Sequence, residues 1–152
     1  MRIREAEDRD YAAIVDIRND QGIAWPERAR TVAAQKEIDR NRAPGKFCRR
    51  WVAEGDEGVV GFSSSVQGSP YNGKATLMVE VAVREGCRGR GLGSGLFAPL
   101  RDAALALRPV WLCADSYSIH PQGAAFLSSL GFRETWRESP VVLDVAEAPL
   151  DS

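Results

Sequence analysis

The spacing of apolar residues along the chain predicts a succession of short strands and helices. The clearest strand pattern covers residues 76–83, where both alternating faces are largely apolar, as in a central strand. A glycine-rich turn follows it. Leucines at helical spacing, starting at Leu92, then predict a helix up to Arg108 that contains Pro99, where we expect a bend.

The other segments complete a mixed order of elements. We predict strands at residues 2–6, 48–54, 59–66, 110–114, 132–136 and 141–145, and helices at about 8–22, 27–41 and 121–130. The order β-α-α-β-β-β-α-β-α-β-β combines hairpins with crossover helices. It predicts an α/β fold of the mixed-sheet α+β kind with helices on both sides. Residues 1–146 form one predicted domain, and residues 147–152 a tail.

Composition and charge exclude several classes of partner. Twenty Lys and Arg stand against 21 Asp and Glu, so the net charge of −1 provides no positive field for nucleic acid or an acidic membrane. No apolar run reaches the roughly 18 residues of a spanning helix, and the first residues lack a secretion signal. Three cysteines without a close pair indicate a reducing compartment and no structural zinc. We therefore expect a cytoplasmic protein without a metal, nucleic-acid or membrane partner.

Residues 88–95 carry the most chemical information, because they lie between the central strand and a helix start. Four alternate glycines let the backbone approach a ligand, and N–H groups at a helix N-terminus can surround a phosphate. Arg88 and Arg90 can add charge-assisted hydrogen bonds. The segment predicts a pyrophosphate site, and a flexible glycine turn is the alternative. A P-loop is excluded because no lysine follows residue 74, and the glycine spacing does not fit the dinucleotide fingerprint.

The segment resembles the signature of the GNAT family of acetyl-CoA-dependent N-acetyltransferases. The pattern Arg/Gln-x-x-Gly-x-Gly/Ala is matched by Arg88, Gly91 and Gly93 in a strand-loop-helix setting. Residues 124–132, AAFLSSLGF, are similar to the family's late helix with its Leu-Gly-Phe ending. The element order from residue 1 to about 145 is also similar. The resemblance implies a GNAT-like acyl-CoA N-acyltransferase fold with acetyl-CoA as co-substrate.

The resemblance also implies which residues bind the cofactor. Amides of residues 88–93 would hold the CoA pyrophosphate, and the central strand around residues 81–83 would pair with the pantetheine arm. Phe126 of the late helix would pack on that arm or in the core, and His120 would contact the cofactor edge or cap the helix. The predicted cofactor-binding set is Val81, Ala82, Val83, Arg88, Gly89, Arg90, Gly91, Leu92, Gly93, Ser94, His120 and Phe126.

Direct acetylation of an amine requires a neutral amine, an oxyanion donor and a proton for the leaving thiolate. The resemblance implies that the amide of Val81 or Val83 is the oxyanion donor. Glu80 is the candidate base, because it interrupts an apolar strand and burial would make it a stronger proton acceptor. An equal alternative is that Glu80 binds the charge of the amine or pairs with an arginine.

The proton donor to the thiolate is where this chain departs from the family. Leu127 stands where many members carry tyrosine. Tyr117 is the candidate replacement, Ser118 and Ser128 are further candidates, and a CoA thiolate can also leave unaided. Cys87 has no role in direct transfer.

These residues predict an N-acetyltransferase that acts on the primary amine of a small metabolite or amino-acid-like acceptor. Acetylation of a peptide or protein is the nearest alternative. A non-catalytic acyl-CoA-binding module, or the degenerate half of a tandem GNAT protein, is the alternative from another class. We expect acceptor recognition from residues 19–25 and 134–139, and the resemblance alone implies a homodimer.

Overall fold

The computed structural model describes residues 1–21, 30–42, 44–67, 76–117 and 120–138. It consists of two compact units, residues 1–115 and residues 116–152. The first contains β1 (Arg2–Glu5), α1 (Tyr11–Asn19), α2 (Val32–Arg40), β2 (Cys48–Gly55), β3 (Gly58–Gln67), β4 (Thr76–Val83), α3 (Leu92–Leu105) and β5 (Trp111–Cys113). The second contains α4 (Pro121–Ser129).

The five strands form one sheet in the order β1-β2-β3-β4-β5. The first four are antiparallel neighbours, and β5 runs parallel to β4. The predicted mixed sheet is thus confirmed, and β4 matches the predicted central strand at both ends. The β5 pairing covers only Thr76–Met78, so the two strands part halfway along β4.

Helices pack on both faces of the sheet, as the element order predicts. On one face Ile14 and Ile17 of α1 contact a core that contains Val52, Phe62 and Ala82. On the other face lies α3, with Leu96 and Leu100 fully buried. The Ser63 hydroxyl donates a 2.8 Å hydrogen bond to the Leu96 carbonyl, which joins β3 to this helix.

Gly95 lies on the side of α3 that meets the Ile3 side chain of β1. A Cβ at Gly95 would lie 2.7 Å from Cδ1 of Ile3 on β1. The helix continues across Pro99 and ends at Leu105, earlier than predicted, so that Leu107 is exposed. Gly95 therefore leaves room for the Ile3 side chain where helix and strand meet.

Several predicted bounds differ from the structure. The second helix begins at Val32, where the Thr31 hydroxyl caps it by accepting from the Ala34 amide at 3.1 Å. The β5 strand covers only Trp111–Cys113, shorter than the predicted 110–114, and its first residue, Trp111, is 58% exposed. Residues 132–136 form no strand; a strand requires a hydrogen-bonded neighbour, and the predicted neighbour, residues 141–145, lies outside the described residues.

In the described ranges, no helix is both long and apolar enough to cross a membrane. The single domain predicted for residues 1–146 stays a prediction.

Candidate cofactor and acceptor site

The turn between β4 and α3 takes its shape from two glycines in the left-handed region. Gly89 has φ +73° and Gly91 has φ +77°, a backbone conformation that other residues rarely adopt. Gly91 is also the N-cap of α3. A Cβ at either position would meet no atom within 4 Å. These glycines are therefore required for the backbone conformation and leave open space above the turn.

The amides of this turn are donors that the described residues leave without an acceptor. None of the six N–H groups from Gly89 to Ser94 has an acceptor within the described part of the chain, and the first helical bond is from the Gly95 amide to the Gly91 carbonyl at 3.0 Å. The first amides of a helix lack partners and carry partial positive charge. Six successive donors at such an end form a cradle for an anion such as a diphosphate.

The two arginines of the turn have different roles. The Arg88 side chain donates from Nε to the Val83 carbonyl at 2.9 Å and from Nη2 to Oε1 of Gln21 at 3.1 Å. It thus fixes the end of β4 against the residues that follow α1. Arg90 is exposed, and no ion pair joins it to another described residue. Arg90 is therefore the guanidinium that is free to meet an anion.

Among the described residues, no strand pairs with β4 beyond Met78 on the β5 side, and we call this part of the strand the open edge. The Arg84 amide donates to the Val60 carbonyl at 2.8 Å, so the even-numbered positions of β4 direct their main-chain groups to β3. The main-chain groups of Val81 and Val83 point away from β3, to the side on which β5 pairs. The pairing with β5 ends at Met78 and does not reach these two residues. Ala82, which the sequence places in the cofactor set, turns its main-chain groups to β3.

The candidate base Glu80 lies on the α1 side of the sheet in a two-bond ion pair. Arg18 of α1 donates from Nε to Oε1 at 2.9 Å and from Nη2 to Oε2 at 2.6 Å. The Glu80 side chain is 41% exposed and not buried as predicted, whereas Arg18 is only 12% exposed. Of the two alternatives, the structure shows a partnership with an arginine, supplied by a helix.

The ion pair continues into a buried polar network. Arg18 also donates from Nη1 to Oε1 of Gln35 at 2.6 Å, and Arg30 donates from Nη1 to the same oxygen at 2.8 Å. Gln35 is 1% exposed, and its Nε2 donates to Asp39 at 3.2 Å. One buried glutamine thus connects the Glu80 pair with the carboxylate of Asp39.

Asp39 is the second anion of the network. Arg50 donates two hydrogen bonds to it, at 2.7 and 2.9 Å, and the Tyr11 hydroxyl donates one at 2.7 Å. Burial alone would raise the pKa of the Asp39 carboxyl, but the hydrogen bonds from Arg50 and Tyr11 outweigh it and lower the pKa to about 2. The carboxyl is therefore ionised at neutral pH.

Sequence reasoning missed Arg18, Arg30, Gln35 and Asp39. Their one sequence cue is the i, i+4 spacing of Gln35 and Asp39 on a helix with few large apolar residues. Of the segments predicted to recognise the acceptor, residues 22–25 and Ser139 lie outside the described residues.

The remaining candidate residues that the structure describes belong to the second unit, and Ser118 lies outside the described residues. His120 is the N-cap of α4, where its carbonyl accepts from the Gly123 amide at 2.9 Å, and its side chain makes no capping hydrogen bond. Tyr117 is 48% exposed, and Phe126 is half-buried. Gly131, with φ +92°, closes the helix as predicted.

All three cysteines are free thiols. No cluster of three potential metal ligands occurs among the residues with described positions.

Comparison with known proteins agrees with this geometry. Residues 46–134 match the family model of the acetyltransferase (GNAT) domain. No curated protein sequence matches the chain significantly.

Solved structures provide the fold relatives. The chain is 29% identical to ribosomal-protein-alanine N-acetyltransferase from Brucella melitensis, with a TM-score of 0.71 and coverage of 88% of this chain and 85% of that one. It is 26% identical to yncA, a candidate acetyltransferase from Salmonella typhimurium solved with its cofactor acetyl-CoA, with a TM-score of 0.75 and coverage of 90% and 81%. An N-acetyltransferase from Staphylococcus aureus Mu50, at 21% identity, TM-score 0.73 and coverage of 89% and 84%, shares the fold. Since the family model spans more than half of the chain, this protein belongs to the GNAT acetyltransferase family and has its acetyl-CoA-binding fold.

Proposed function

We propose that this protein is an acetyl-CoA-dependent N-acetyltransferase that transfers acetyl directly to the primary amine of a small metabolite or amino-acid-like acceptor. The observation that carries the proposal is the run of six amides from Gly89 to Ser94 that have no acceptor among the described residues, at the start of α3 and just after the open edge of β4. Membership of the family supplies the reaction class.

Main-chain groups would hold most of the cofactor. The diphosphate suits the amides of the turn, because the helix end adds partial positive charge and Arg90 adds a full one. The pantetheine arm suits the main-chain groups of Val81 and the amide of Val83, to which it could pair as an added strand, since the Val83 carbonyl already accepts from Arg88. When bound, acetyl-CoA would supply the activated acetyl thioester. His120 and Phe126 remain proposed contacts at its edge.

Three groups are proposed for the chemistry. The Val81 amide, on the open edge, would donate to the oxyanion. Glu80 would hold the incoming amine and take its proton, directly or through water. Tyr117 would supply the proton to the thiolate, because Leu127 stands where many family members carry a tyrosine.

A second candidate is an acyl-CoA-binding module without turnover. It is supported by the Glu80 ion pair, because both carboxylate oxygens already accept hydrogen bonds from Arg18. Such a module would keep the main-chain cradle and lack an available base.

Release of thiol from acetyl-CoA, followed across a panel of primary amines, tests the proposal. The panel should contain small amines, free amino acids and a peptide with N-terminal alanine, since the Brucella relative is named for a ribosomal-protein alanine. Turnover of a small amine supports the proposal, and turnover of the peptide alone supports the protein-acetylating alternative. Calorimetry that shows CoA binding with no turnover supports the module, and absence of binding overturns both.

Replacement of Glu80 by Gln keeps the size of the side chain and removes its charge. We expect kcat/KM to fall about 100-fold while the Kd for CoA changes less than about twofold. Glu57→Gln, in the exposed β2–β3 turn, is the matched control and should leave both constants unchanged. Turnover by Glu80→Gln equal to wild type at every pH would remove Glu80 from the mechanism.

A further inference from the structure

The network beside Glu80 contains more positive than negative charge. Within the described residues, four guanidinium groups and two carboxylates are joined by hydrogen bonds, which leaves a surplus of two positive charges. The cations are Arg18, Arg30, Arg42 and Arg50, and the anions are Glu80 and Asp39. Such a surplus is stabilised by an anion from outside the network.

Arg30 is the cation in this network without a carboxylate partner among the described residues. Its main chain is fixed by Asn19, which accepts from the Arg30 amide at 3.0 Å and donates to the Arg30 carbonyl at 2.8 Å. Its side chain donates from Nη1 to Gln35 at 2.8 Å. The Nε and Nη2 donors have no described acceptor, and the residue is exposed.

Gln35 holds two like charges together. Its buried amide oxygen accepts from Arg18 at 2.6 Å and from Arg30 at 2.8 Å. Glu80 pairs with Arg18, so the charge that remains without a described carboxylate partner beside the neutral Gln35 oxygen is that of Arg30. A planar carboxylate matches the fork of guanidinium donors that Nε and Nη2 of Arg30 present.

The exposed ends of this short chain of hydrogen bonds have opposite charge. Glu80, 41% exposed, is at one end, and Arg30 is at the other, with Arg18 and Gln35 between them. A zwitterion presents an ammonium group and a carboxylate, which are the partners that these two ends would bind. Simple amines lack the second charge, and the N-terminus of a peptide has no carboxylate beside its amine.

We infer that the acceptor is a free amino acid, whose amine is held by Glu80 and whose carboxylate is held by the free donors of Arg30. This inference rests on the proposed function and narrows its acceptor class. Arg30 then determines specificity, and Arg18 and Gln35 position the two charged ends.

The experiment compares acceptors that differ only in the carboxylate. For the free amino acid that is used best, kcat/KM is measured beside its carboxamide and its decarboxylated amine, in the wild type and in Arg30→Gln. We expect the wild type to prefer the free acid at least about 10-fold, and Arg30→Gln to lose about 10- to 100-fold on the acid but less than about twofold on the carboxamide. Arg30→Lys should restore part of the loss.

Arg9→Gln is the control, because Arg9 is an exposed arginine paired with Glu7 outside the network. It should keep the wild-type preference. If Arg30→Gln fails to fold, as its thermal unfolding would show, the comparison of acid and carboxamide in the wild type decides the matter alone.

The outcomes separate this inference from the proposed function. Equal use of acid and carboxamide by the wild type overturns the inference and leaves an acetyltransferase. Absence of turnover on any amine overturns the proposed function. In that event, calorimetry with free amino acids and no acetyl-CoA still tests the site: binding that Arg30→Gln abolishes supports it, and absence of heat overturns it.

Discussion

The turn before α3 and the network beneath α1 and α2 are both polar, but they are built from different groups. The turn offers main-chain donors that have no acceptor in the described part of the chain, on backbone whose angles Gly89 and Gly91 make possible. The network consists of side chains that already bind one another, with Arg18, Arg50 and Asp39 only 10 to 14% exposed. The first region is prepared for a ligand, and the second also contributes to the stability of the fold.

This difference predicts opposite responses to mutation. A buried ionic group that loses its partner retains the cost of desolvation, so damage to the network should reduce stability. The amides of the turn are solvated in the free protein, so damage to the turn should reduce binding. The predictions below test that contrast.

The largest effect is expected from Asp39→Ala. The substitution leaves Arg50, 10% exposed, without its carboxylate and removes the acceptor of the Tyr11 hydroxyl. We expect the free energy of unfolding to fall by about 3 to 5 kcal/mol, measured by urea denaturation. Asp102→Ala breaks an exposed pair with Arg101 and should cost less than about 1 kcal/mol. Equal losses in the two variants would contradict the structural role of the network.

A smaller effect is expected on the free energy of unfolding at acidic pH. The pKa of the Asp39 carboxyl is lowered from its ordinary value of 3.8 to about 2 in the folded protein. Between these two pH values the unfolded chain therefore binds more protons than the folded protein does. Stability from this group is complete above about pH 4 and is lost as the pH falls toward 2, by about 2 kcal/mol in all.

Urea denaturation at pH 2 to 6 measures this dependence. Asp10, whose pKa is lowered by its hydrogen bonds with Arg4, contributes in the same direction. The contribution of Asp39 is therefore the difference between the wild type and Asp39→Ala in the slope of the free energy of unfolding against pH. Identical slopes would show that Asp39 titrates normally.

The fold and the turn could be predicted from the sequence because their causes are local. Alternation in residues 76–83 reflects two covered faces, and the glycines after them reflect main-chain angles that only glycine adopts easily. The match at Arg88, Gly91 and Gly93 then identified the family that the comparisons show.

The network could not be predicted, because its members meet only after the chain has folded. Glu80 and Arg18 are 62 positions apart in the sequence. Arg50 lies on β2, and its partner Asp39 lies on α2. In the sequence, these arginines are indistinguishable from solvated surface charge. The expected burial of Glu80 was wrong for the same reason, since strand alternation fixes the face of a side chain and not its distance from solvent.

The smallest and most specific effect is expected from Gly91→Ala. Gly91 and Gly45 both have φ +77° with no atom within 4 Å of an added Cβ, so alanine introduces the same backbone strain at each, about 1 kcal/mol of unfolding free energy. At Gly91 alone, the new methyl group would stand above the amide cradle where a diphosphate must approach. We expect the Kd for CoA, measured by calorimetry, to rise about 10-fold in Gly91→Ala and to stay at the wild-type value in Gly45→Ala. Equal affinities in the two variants would show that the turn contacts no part of the cofactor, because strain common to both positions cannot separate them.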